Sequence, residues 1–342
     1  MFEILQLYGI PQTIIDAIRT LYTNTSSSVL TSEGETDPFN ITAGILQGDT
    51  LAPFLFILVV DYILRVSVDT ISEKGLEYQP RKSTRHPALH VTDADFADDI
   101  ALLAGSLANA QELLSSLESA SNCVGLYLNE KKTEYIPLKP QDYGTQIKTL
   151  NNNILKCVED YKYLGSYIRN SEKDFTIRKG LAWSACNKMD KIWKSNLNKH
   201  IKLNIFRVTI EPILLYGSET WTLSAKQQRR LDGCYARLLR RVQNLSWRCH
   251  PTIKDIYGNF PRISNTFTKR RVQFAGHCAR ASGELVSSFV LWKHHSSHKR
   301  CRKLTYPDSI RRDSGIDKDH LLKAMLDRDF WKDVVNSISA AR

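Results

Sequence analysis

The feature that most constrains the fold is a pair of adjacent acidic residues, Asp98 and Asp99, between two apolar runs. Val91 precedes the pair, and Ile-Ala-Leu-Leu follows it at residues 100–103. Strand-forming residues on both sides of a short polar pair predict a β-hairpin with the acids at its tip.

Adjacent carboxylates at such a tip stay ionised at low cost only when a cation binds them. Mg²⁺ accepts carboxylate oxygens and keeps positions open for phosphates. The pattern therefore favours half of a metal site for phosphoryl or nucleotidyl transfer. A plain polar turn between two strands is the alternative.

Length and composition indicate an intracellular protein with two or three domains. The chain has 342 residues, enough to bury a substantial core. Its longest apolar run, residues 51–60, is interrupted by Pro53 and is too short to span a bilayer. The N-terminus lacks the layout of a signal peptide. Seven scattered cysteines without a Cys-x-x-Cys motif favour reduced thiols. We therefore expect a cytoplasmic or nuclear location, or both, and no membrane partner.

Charge is distributed unevenly along the chain. Residues 1–175 contain 14 lysines and arginines against 23 acidic residues, a net charge of −9. Residues 176–342 contain 33 against 13, a net charge of +20. Basic residues supply sequence-independent contacts to phosphates. An acidic half with a possible metal site, joined to a strongly basic half, is typical of a nucleic-acid enzyme.

Hydrophobic periodicity predicts an α+β chain that becomes helical after residue 175. Residues 3–23 favour helices with a break at Gly9-Ile10-Pro11, and residues 51–67 favour a helix so apolar that we expect deep burial. Ser106 is a candidate cap of a helix that ends near Cys123. Strands are expected from residue 125 and at 135–138, and a hairpin at 161–168.

One helix in the basic half combines a capping box with a basic face. Ser224 and Gln227 have the spacing of a capping box, and an apolar stripe follows them. Five arginines lie mostly away from that stripe: Arg229, Arg230, Arg237, Arg240 and Arg241. The helix either follows a nucleic-acid backbone or presents a solvated basic face.

Seven segments, in order along the chain, resemble motifs of the reverse transcriptases of non-LTR (LINE-like) retrotransposons. They are residues 44–49 (GILQGD), 51–56 (LAPFLF), 96–99 (FADD), 125–133 (GLYLNEKKT), 161–166 (YKYLGS), 216–221 (YGSETW) and 270–277 (RRVQFAGH). Each motif is short, but their order and spacing together match this family over most of the chain.

The resemblance implies roles for particular residues. Asp98 would ligate the catalytic Mg²⁺ (or Mn²⁺), with Asp99 beside it, and Lys132 would lie near the leaving pyrophosphate. Gln47, Gly48 and Phe96 would line the pocket for the incoming nucleotide and the template base. Tyr163, Leu164 and Gly165 would support the primer end. Plain turns and strand core are the alternatives for these positions.

The resemblance also implies an architecture and a reaction. The expected fold is α+β, an incomplete polymerase palm with an antiparallel sheet, followed by an all-helical thumb and a basic C-terminal tail. The expected divisions are 1–140 (partial palm with remnant fingers), 141–175 (primer-grip hairpin region), 176–245 (thumb) and 246–342 (basic extension). The implied activity is RNA-directed DNA synthesis, with an RNA template, a DNA primer, dNTPs and Mg²⁺ as ligands.

One departure from the family affects the expected activity. The family builds its metal site from two strands, and the strand with the first catalytic Asp would precede the helix that begins here at Phe2. Asp16 and Asp61 fall in helical contexts and are poor replacements. Two carboxylates from one hairpin cannot position two ions, so we expect little or no polymerase activity from this chain alone.

Three alternatives remain open. The first is a non-catalytic RNA- or DNA-binding remnant that keeps the basic half. The second is an unrelated metal-dependent hydrolase that uses Asp98 and Asp99. The third is a zinc module in the tail, where the candidate ligands match no established spacing. They are Cys249, His250, His277, Cys278, His294, His295, His298 and Cys301.

Overall fold

The computed structural model describes residues 1–41, 44, 46, 48–138, 144–168, 170–246, 248, 250–258, 260–292 and 304–340. The chain divides into two compact units, Met1–Tyr161 and Lys162–Arg342. Helices and two-stranded sheets mix in the first unit and helices dominate the second, which confirms the α+β class. Among the described helices, none combines the length and the apolarity that crossing a lipid bilayer requires. The division into four segments stays a prediction.

Within the described residues, the first unit contains four α-helices and ten short strands. The helices are α1 (Phe2–Leu7), α2 (Gln12–Tyr22), α3 (Ala52–Ser67) and α4 (Leu107–Cys123). The strands are β1 (Ser26–Ser27), β2 (Leu30–Thr31), β3 (Gly34–Glu35), β4 (Phe39–Asn40), β5 (Leu76–Gln79), β6 (Leu89–Val91), β7 (Asp93–Phe96), β8 (Asp99–Leu102), β9 (Glu134–Tyr135) and β10 (Lys156–Cys157). The pairs β1–β4, β2–β3, β5–β6 and β7–β8 are antiparallel, and β9–β10 is parallel.

Apolar packing in the first unit is divided among small clusters. Leu55 of α3 packs with residues of α1 and α2, while Ile63 of the same helix packs with Leu113 and other residues of α4. Deep burial of α3 was expected, and this prediction is wrong. One cluster takes residues from the N-terminal part of the helix and the other from its C-terminal part, and neither includes Phe54 or Ile57, which remain 66% and 55% exposed.

Local sequence signals account for both ends of α4. The Ser106 side chain accepts a hydrogen bond from Asn109 N, so it caps α4 as predicted. The strand expected from residue 125 does not form. Gly125 has a φ of 80°, and Leu126 N donates to Ser121 O at 3.0 Å. This segment therefore closes the C-terminus of α4 instead of joining a sheet.

The second unit is a short hairpin followed by helices. The hairpin strands are β11 (Lys162–Tyr163) and β12 (Ser166–Tyr167). The helices are α5 (Ser171–Lys188), α6 (Asp190–Trp193), α7 (Lys199–Thr209), α8 (Glu211–Leu214), α9 (Ala225–Val242), α10 (Ile253–Tyr257), α11 (Ile263–Ala279), α12 (Leu285–Phe289), α13 (Tyr306–Ser314), α14 (Lys318–Leu326) and α15 (Arg328–Ala340). The capping box of Ser224 and Gln227 at the start of α9 is confirmed.

Helix α11 joins two extensive apolar cores. Phe267 belongs to a core built mainly from α5 to α10, and Val272 belongs to a second core with α13, α14 and α15. Arg271 lies between them, fully buried. Its guanidinium donates to Trp221 O at 2.7 Å and pairs with Asp313. The buried charge is thus paired and links the two cores.

Candidate active site

Asp98 lies at the tip of the β7–β8 hairpin, as the sequence predicts. The strands pair with Phe96 opposite Asp99, so the loop consists of Ala97 and Asp98 only. Two-residue hairpin loops need positive φ at one or both central residues. Ala97 has the required positive φ, 57°, which lies in a conformation that most L-residues rarely adopt. Asp98 therefore lies where the chain reverses, Asp99 begins β8, and both residues are exposed.

The chemistry of these donors suits a hard divalent cation, but the described ligand set is incomplete. Carboxylate oxygens are the ligands that Mg²⁺ takes from proteins. Within the described residues, no three Asp, Glu, His or Cys side chains are grouped so that they could hold a metal ion. Asp61 is engaged elsewhere, since it accepts hydrogen bonds from Tyr8 and from Arg65. Within the described residues, the hairpin thus offers two carboxylates and no third protein ligand.

The zinc alternative receives no support from the part of the chain that the structure covers. His250, His277 and Cys278 form no ligand group there. The other candidates lie outside the described residues: Cys249, His294, His295, His298 and Cys301.

Tyr161 is a neighbour of the acidic hairpin, a role that the sequence analysis did not assign to it. Partial burial, the charge of Asp99 and the charge of Glu134 together raise the pKa of the Tyr161 hydroxyl. The group therefore stays protonated and can donate a hydrogen bond in this acidic surrounding. The signal available in the sequence was its place as the first residue of the 161–166 motif.

A second acidic group on β7 was also missed. Asp93 and Asp95 alternate along the strand, so their side chains share one face. Although Asp95 as a residue is exposed, partial burial of its carboxyl group comes first among the causes that raise its pKa to about 7. The hydrogen bond with Asp93 and the charges of Asp93 and Asp69 act in the same direction. Asp95 is consequently the carboxyl group near the hairpin that titrates around neutral pH.

The loop before α3 is only partly described, because Gln47 lies outside the described residues. Gly48 has a φ of 93°, and a methyl group at this position would meet no atom within 4 Å. Next to it, Asp49 accepts hydrogen bonds from Leu51 N at 3.1 Å and from Tyr22 Oη at 3.3 Å. The loop is thereby anchored to α2 while Gly48 faces open space.

Lys132 and Phe96 are both solvent-accessible. Lys132 N donates to Asn129 O at 3.0 Å in a turn, and its ammonium group has no ion pair within the described residues. Phe96 is 64% exposed although it is the last residue of β7. An exposed aromatic ring at this position is able to stack on a base.

The three residues expected at the primer end lie in the β11–β12 hairpin. Tyr163 pairs with Ser166, so Leu164 and Gly165 form a two-residue loop. Both have positive φ, 46° and 83°. Two-residue loops with positive φ at both positions are type I′ turns, which match the twist of the strands.

The basic face predicted on α9 is present, but its arginines differ in their partners. Arg230 pairs with Glu172 at 2.9 Å, and Arg241 pairs with Asp190 at 2.7 Å. Arg229, Arg237 and Arg240 have no acidic partner within the described part of the chain. Those three arginines are therefore the best available to bind phosphates.

A family match agrees with this geometry. Residues 2–168 match the family described as "Reverse transcriptase (RNA-dependent DNA polymerase)". These residues belong to the reverse transcriptase family. The acidic hairpin, Gly48, Lys132 and the β11–β12 hairpin all lie within this reverse transcriptase segment, whereas α9 lies beyond it.

Relatives extend the likeness into the second unit and connect it with non-LTR retrotransposons. An uncharacterised transposon-derived protein of Caenorhabditis elegans is 29% identical over 220 residues, 60% of this chain and 77% of its own length. The Pol polyprotein of the type-2 retrotransposable element R2DM of Drosophila melanogaster is 26% identical over 255 residues, 72% of this chain. The RNA-directed DNA polymerase of the mobile element jockey, from the same fly, is 22% identical over 226 residues, 60% of this chain.

The amount of each relative that is covered differs widely. The chain spans 23% of the length of the R2DM polyprotein and 22% of the jockey polymerase. Because the alignment with R2DM is longer than the reverse transcriptase segment, part of the second unit shares the likeness. The chain is therefore related to the reverse transcriptases of non-LTR retrotransposons.

Proposed function

We propose that this chain provides part of an RNA-directed DNA polymerase, with the β7–β8 hairpin as its catalytic element. The observation that most directly supports this proposal is the position of Asp98 and Asp99 at an exposed hairpin tip inside the reverse transcriptase segment. In this proposal residues 1–140 are a partial palm, 141–175 the primer-grip region, 176–245 a thumb and 246–342 a basic extension. The ligands are an RNA template, a DNA primer and dNTPs.

Asp98 is the proposed metal ligand, assisted by Asp99. A divalent ion such as Mg²⁺ or Mn²⁺, when bound, neutralises triphosphate charge and lowers the pKa of the primer 3′-hydroxyl. In the transfer, the primer 3′-hydroxyl gives its proton to solvent water and its oxygen bonds to the α-phosphorus, while the bond from that phosphorus to the pyrophosphate oxygen breaks. Lys132 is the proposed proton donor to that leaving pyrophosphate. Phe96 would stack on a base beside the hairpin, with Gln47 and Gly48 lining the nucleotide pocket.

The second unit is proposed to hold the primer–template. Tyr163, Leu164 and Gly165 would contact the primer end through the β11–β12 hairpin. The basic face of α9 would follow the nucleic-acid backbone, with Arg229, Arg237 and Arg240 making the strongest phosphate contacts and Arg230 and Arg241 weaker ones. The excess of positive charge after residue 175 supports this assignment.

We further propose that these 342 residues polymerise poorly by themselves. Asp98 and Asp99 come from one hairpin, and no third ligating side chain joins them within the described residues. Two ions cannot be positioned by two adjacent carboxylates alone. A third carboxylate, supplied by an additional N-terminal strand of the kind that reverse transcriptases use, would complete the site.

Primer extension on an RNA template with Mg²⁺ and dNTPs tests this function. We expect extension from a chain lengthened at its N-terminus by that strand and very little from the 342-residue chain. Asp98→Ala should abolish extension by the lengthened chain, while Asp37→Ala, an exposed acid in an earlier loop, should leave it unchanged. Extension that survives Asp98→Ala would refute the role of the hairpin. Strong extension by the short chain would refute the need for a third carboxylate.

A non-catalytic nucleic-acid-binding function is the second candidate. It is favoured by the incomplete ligand set together with the basic face of α9. It predicts RNA or DNA binding that does not depend on Mg²⁺ and falls steeply with salt. If the lengthened chain also fails to extend primers but binds nucleic acid in this way, the second candidate replaces the first.

A further inference from the structure

The loop of the β11–β12 hairpin carries a bulky residue in an unfavourable conformation. Leu164 has a φ of 46° at the first position of the type I′ turn. Asparagine, aspartate and glycine are preferred there, because a side chain such as leucine crowds the backbone in the left-handed region. The leucine side chain is nevertheless 41% exposed, so packing alone does not explain its presence. Strain of this kind is often retained at functional sites.

Two side chains hold the carbonyl groups of this turn. Tyr216 Oη donates to Leu164 O at 2.7 Å, and Arg178 Nη2 donates to Gly165 O. The guanidinium of Arg178 also lies over the Tyr216 ring, 4.2 Å from its centre. Beneath the hairpin, Gly217 has a φ of 69°, and a methyl group there would overlap Ser166 Oγ. We call Arg178, Tyr216 and Gly217 the tip clamp.

The tip clamp is connected to the buried core of the second unit. Arg178 Nε lies 3.8 Å from Asp174 Oδ1, and the Asp174 side chain is only 2% exposed. The other oxygen of Asp174 accepts a hydrogen bond from Trp221 Nε1 at 2.8 Å. Trp221 in turn packs edge-on against Phe175 in the main apolar core. The orientation of the turn is therefore fixed by a chain of contacts that begins in the core.

We propose that Arg178 and Tyr216 are positioning residues that hold the Leu164 side chain against the 3′ end of the primer strand. This inference rests on the proposed polymerase function. A structural role alone would only require the hairpin to be anchored. Asparagine at position 164 would serve that purpose with less strain and would keep both carbonyl contacts. The exposed leucine is explained when its apolar side chain contacts the sugar and base of the terminal nucleotide.

The test measures the binding of the 342-residue chain to two primer–template duplexes, which does not require catalysis. Both carry fluorescein and the same paired region. In one, the RNA extends past a recessed primer 3′ end, and in the other the overhang has the opposite polarity. Fluorescence anisotropy gives the ratio of the two affinities. We expect the wild-type chain to prefer the recessed 3′ end.

The variants should reduce that ratio in different ways. Tyr216→Phe loses one hydrogen bond to the turn, and we expect the preference to fall about threefold to tenfold. Leu164→Asn should remove the preference and yet raise the thermal midpoint by about 2–4 °C, because the turn becomes less strained. Gly180→Ala on α5 is the matched control. It fills open space on an exposed helical position, so it should raise the midpoint similarly and keep the preference.

The outcomes separate this inference from the function on which it rests. If the wild-type chain prefers the recessed end and Leu164→Asn retains that preference, positioning by the tip clamp is refuted and the proposed function stands. A wild-type chain with no preference overturns the inference, and primer extension by the lengthened chain then decides separately whether the proposed function stands. Loss of thermal stability in Leu164→Asn would show that leucine is in the turn for packing, which also overturns the inference.

Discussion

Gly276 lies where α15 packs against α11, and Gly276→Ala is expected to destabilise the second unit strongly. A methyl group at this position would overlap Nε1 and Cδ1 of Trp331 and come 3.0 Å from Arg280 Nη1. Trp331 is 2% exposed, and its Nε1 donates to Val272 O at 2.9 Å. The indole ring therefore cannot retreat without breaking this hydrogen bond or moving the helix.

The expected change in the free energy of unfolding follows from two losses and one gain. Overpacking a filled core costs about 1–3 kcal/mol. A buried indole N–H without its acceptor costs about 1–3 kcal/mol more. Replacement of glycine by alanine in a helix interior returns about 1 kcal/mol. The net loss in the free energy of unfolding is thus about 3 kcal/mol, at the upper end of ordinary single substitutions.

Urea unfolding followed by tryptophan fluorescence measures this loss. Gly233→Ala is the matched control, because Gly233 lies on the exposed face of α9 with no atom within 4 Å of the added methyl group. It should gain about 1 kcal/mol. Adding Trp331→Leu to Gly276→Ala should cost less than the two separate losses combined, since the residues share one contact. If Gly276→Ala behaves like Gly233→Ala, the close packing of α15 on α11 is refuted.

Three further predictions concern charged groups. Arg271→Ala should cost about 3 kcal/mol in thermal unfolding, because a buried ion pair loses one partner; a loss below about 1 kcal/mol would contradict this. Asp95→Asn should stabilise the protein more at pH 8 than at pH 5. In the folded protein the pKa of Asp95 is raised to about 7, so this carboxyl group favours the folded state below its ordinary pKa near 4. That contribution is lost as the pH rises towards 7, whereas asparagine does not titrate. Melting curves at the two pH values measure this, and equal shifts would refute the assignment. Arg237→Ala should reduce by about one the slope of the logarithm of RNA affinity against the logarithm of salt concentration. Arg241→Ala should change this slope less, because Arg241 is already paired with Asp190. Equal slopes in the two variants would contradict the distinction.

Sequence signals were sufficient wherever the deciding interaction is local. Ser106 caps α4, Ser224 and Gln227 form a capping box, and residues 96–99 form a hairpin, because each depends on neighbours within a few positions. Phe54 was misjudged because its burial depends on which sides of α3 are covered by other helices. An apolar composition describes a helix, but it does not specify the packing partners.

The candidate site shows the same limit at longer range. The sequence placed Asp98 at a hairpin tip and Leu164 within a hairpin at 161–168. Arg178 and Tyr216, which hold the turn that contains Leu164, are 38 positions apart and carry no local signal of their joint role. Asp95 was missed for a different reason. Its alternation with Asp93 was visible in the sequence, whereas its raised pKa depends also on Asp69, which belongs to a separate part of the first unit.

The two units differ in how their apolar residues are packed, and this bears on which function is the more robust. In the first unit, small separate clusters and two-stranded sheets support the acidic hairpin. In the second unit, extensive cores joined through α11 support the tip clamp and the basic face of α9. Under the proposed function, nucleic-acid binding depends on the better-packed unit, whereas catalysis also depends on the acidic hairpin of the first unit and on a third carboxylate. We therefore expect nucleic-acid binding to be retained under conditions and in variants that abolish catalysis. A chain that has lost polymerase activity would then still have the non-catalytic binding function.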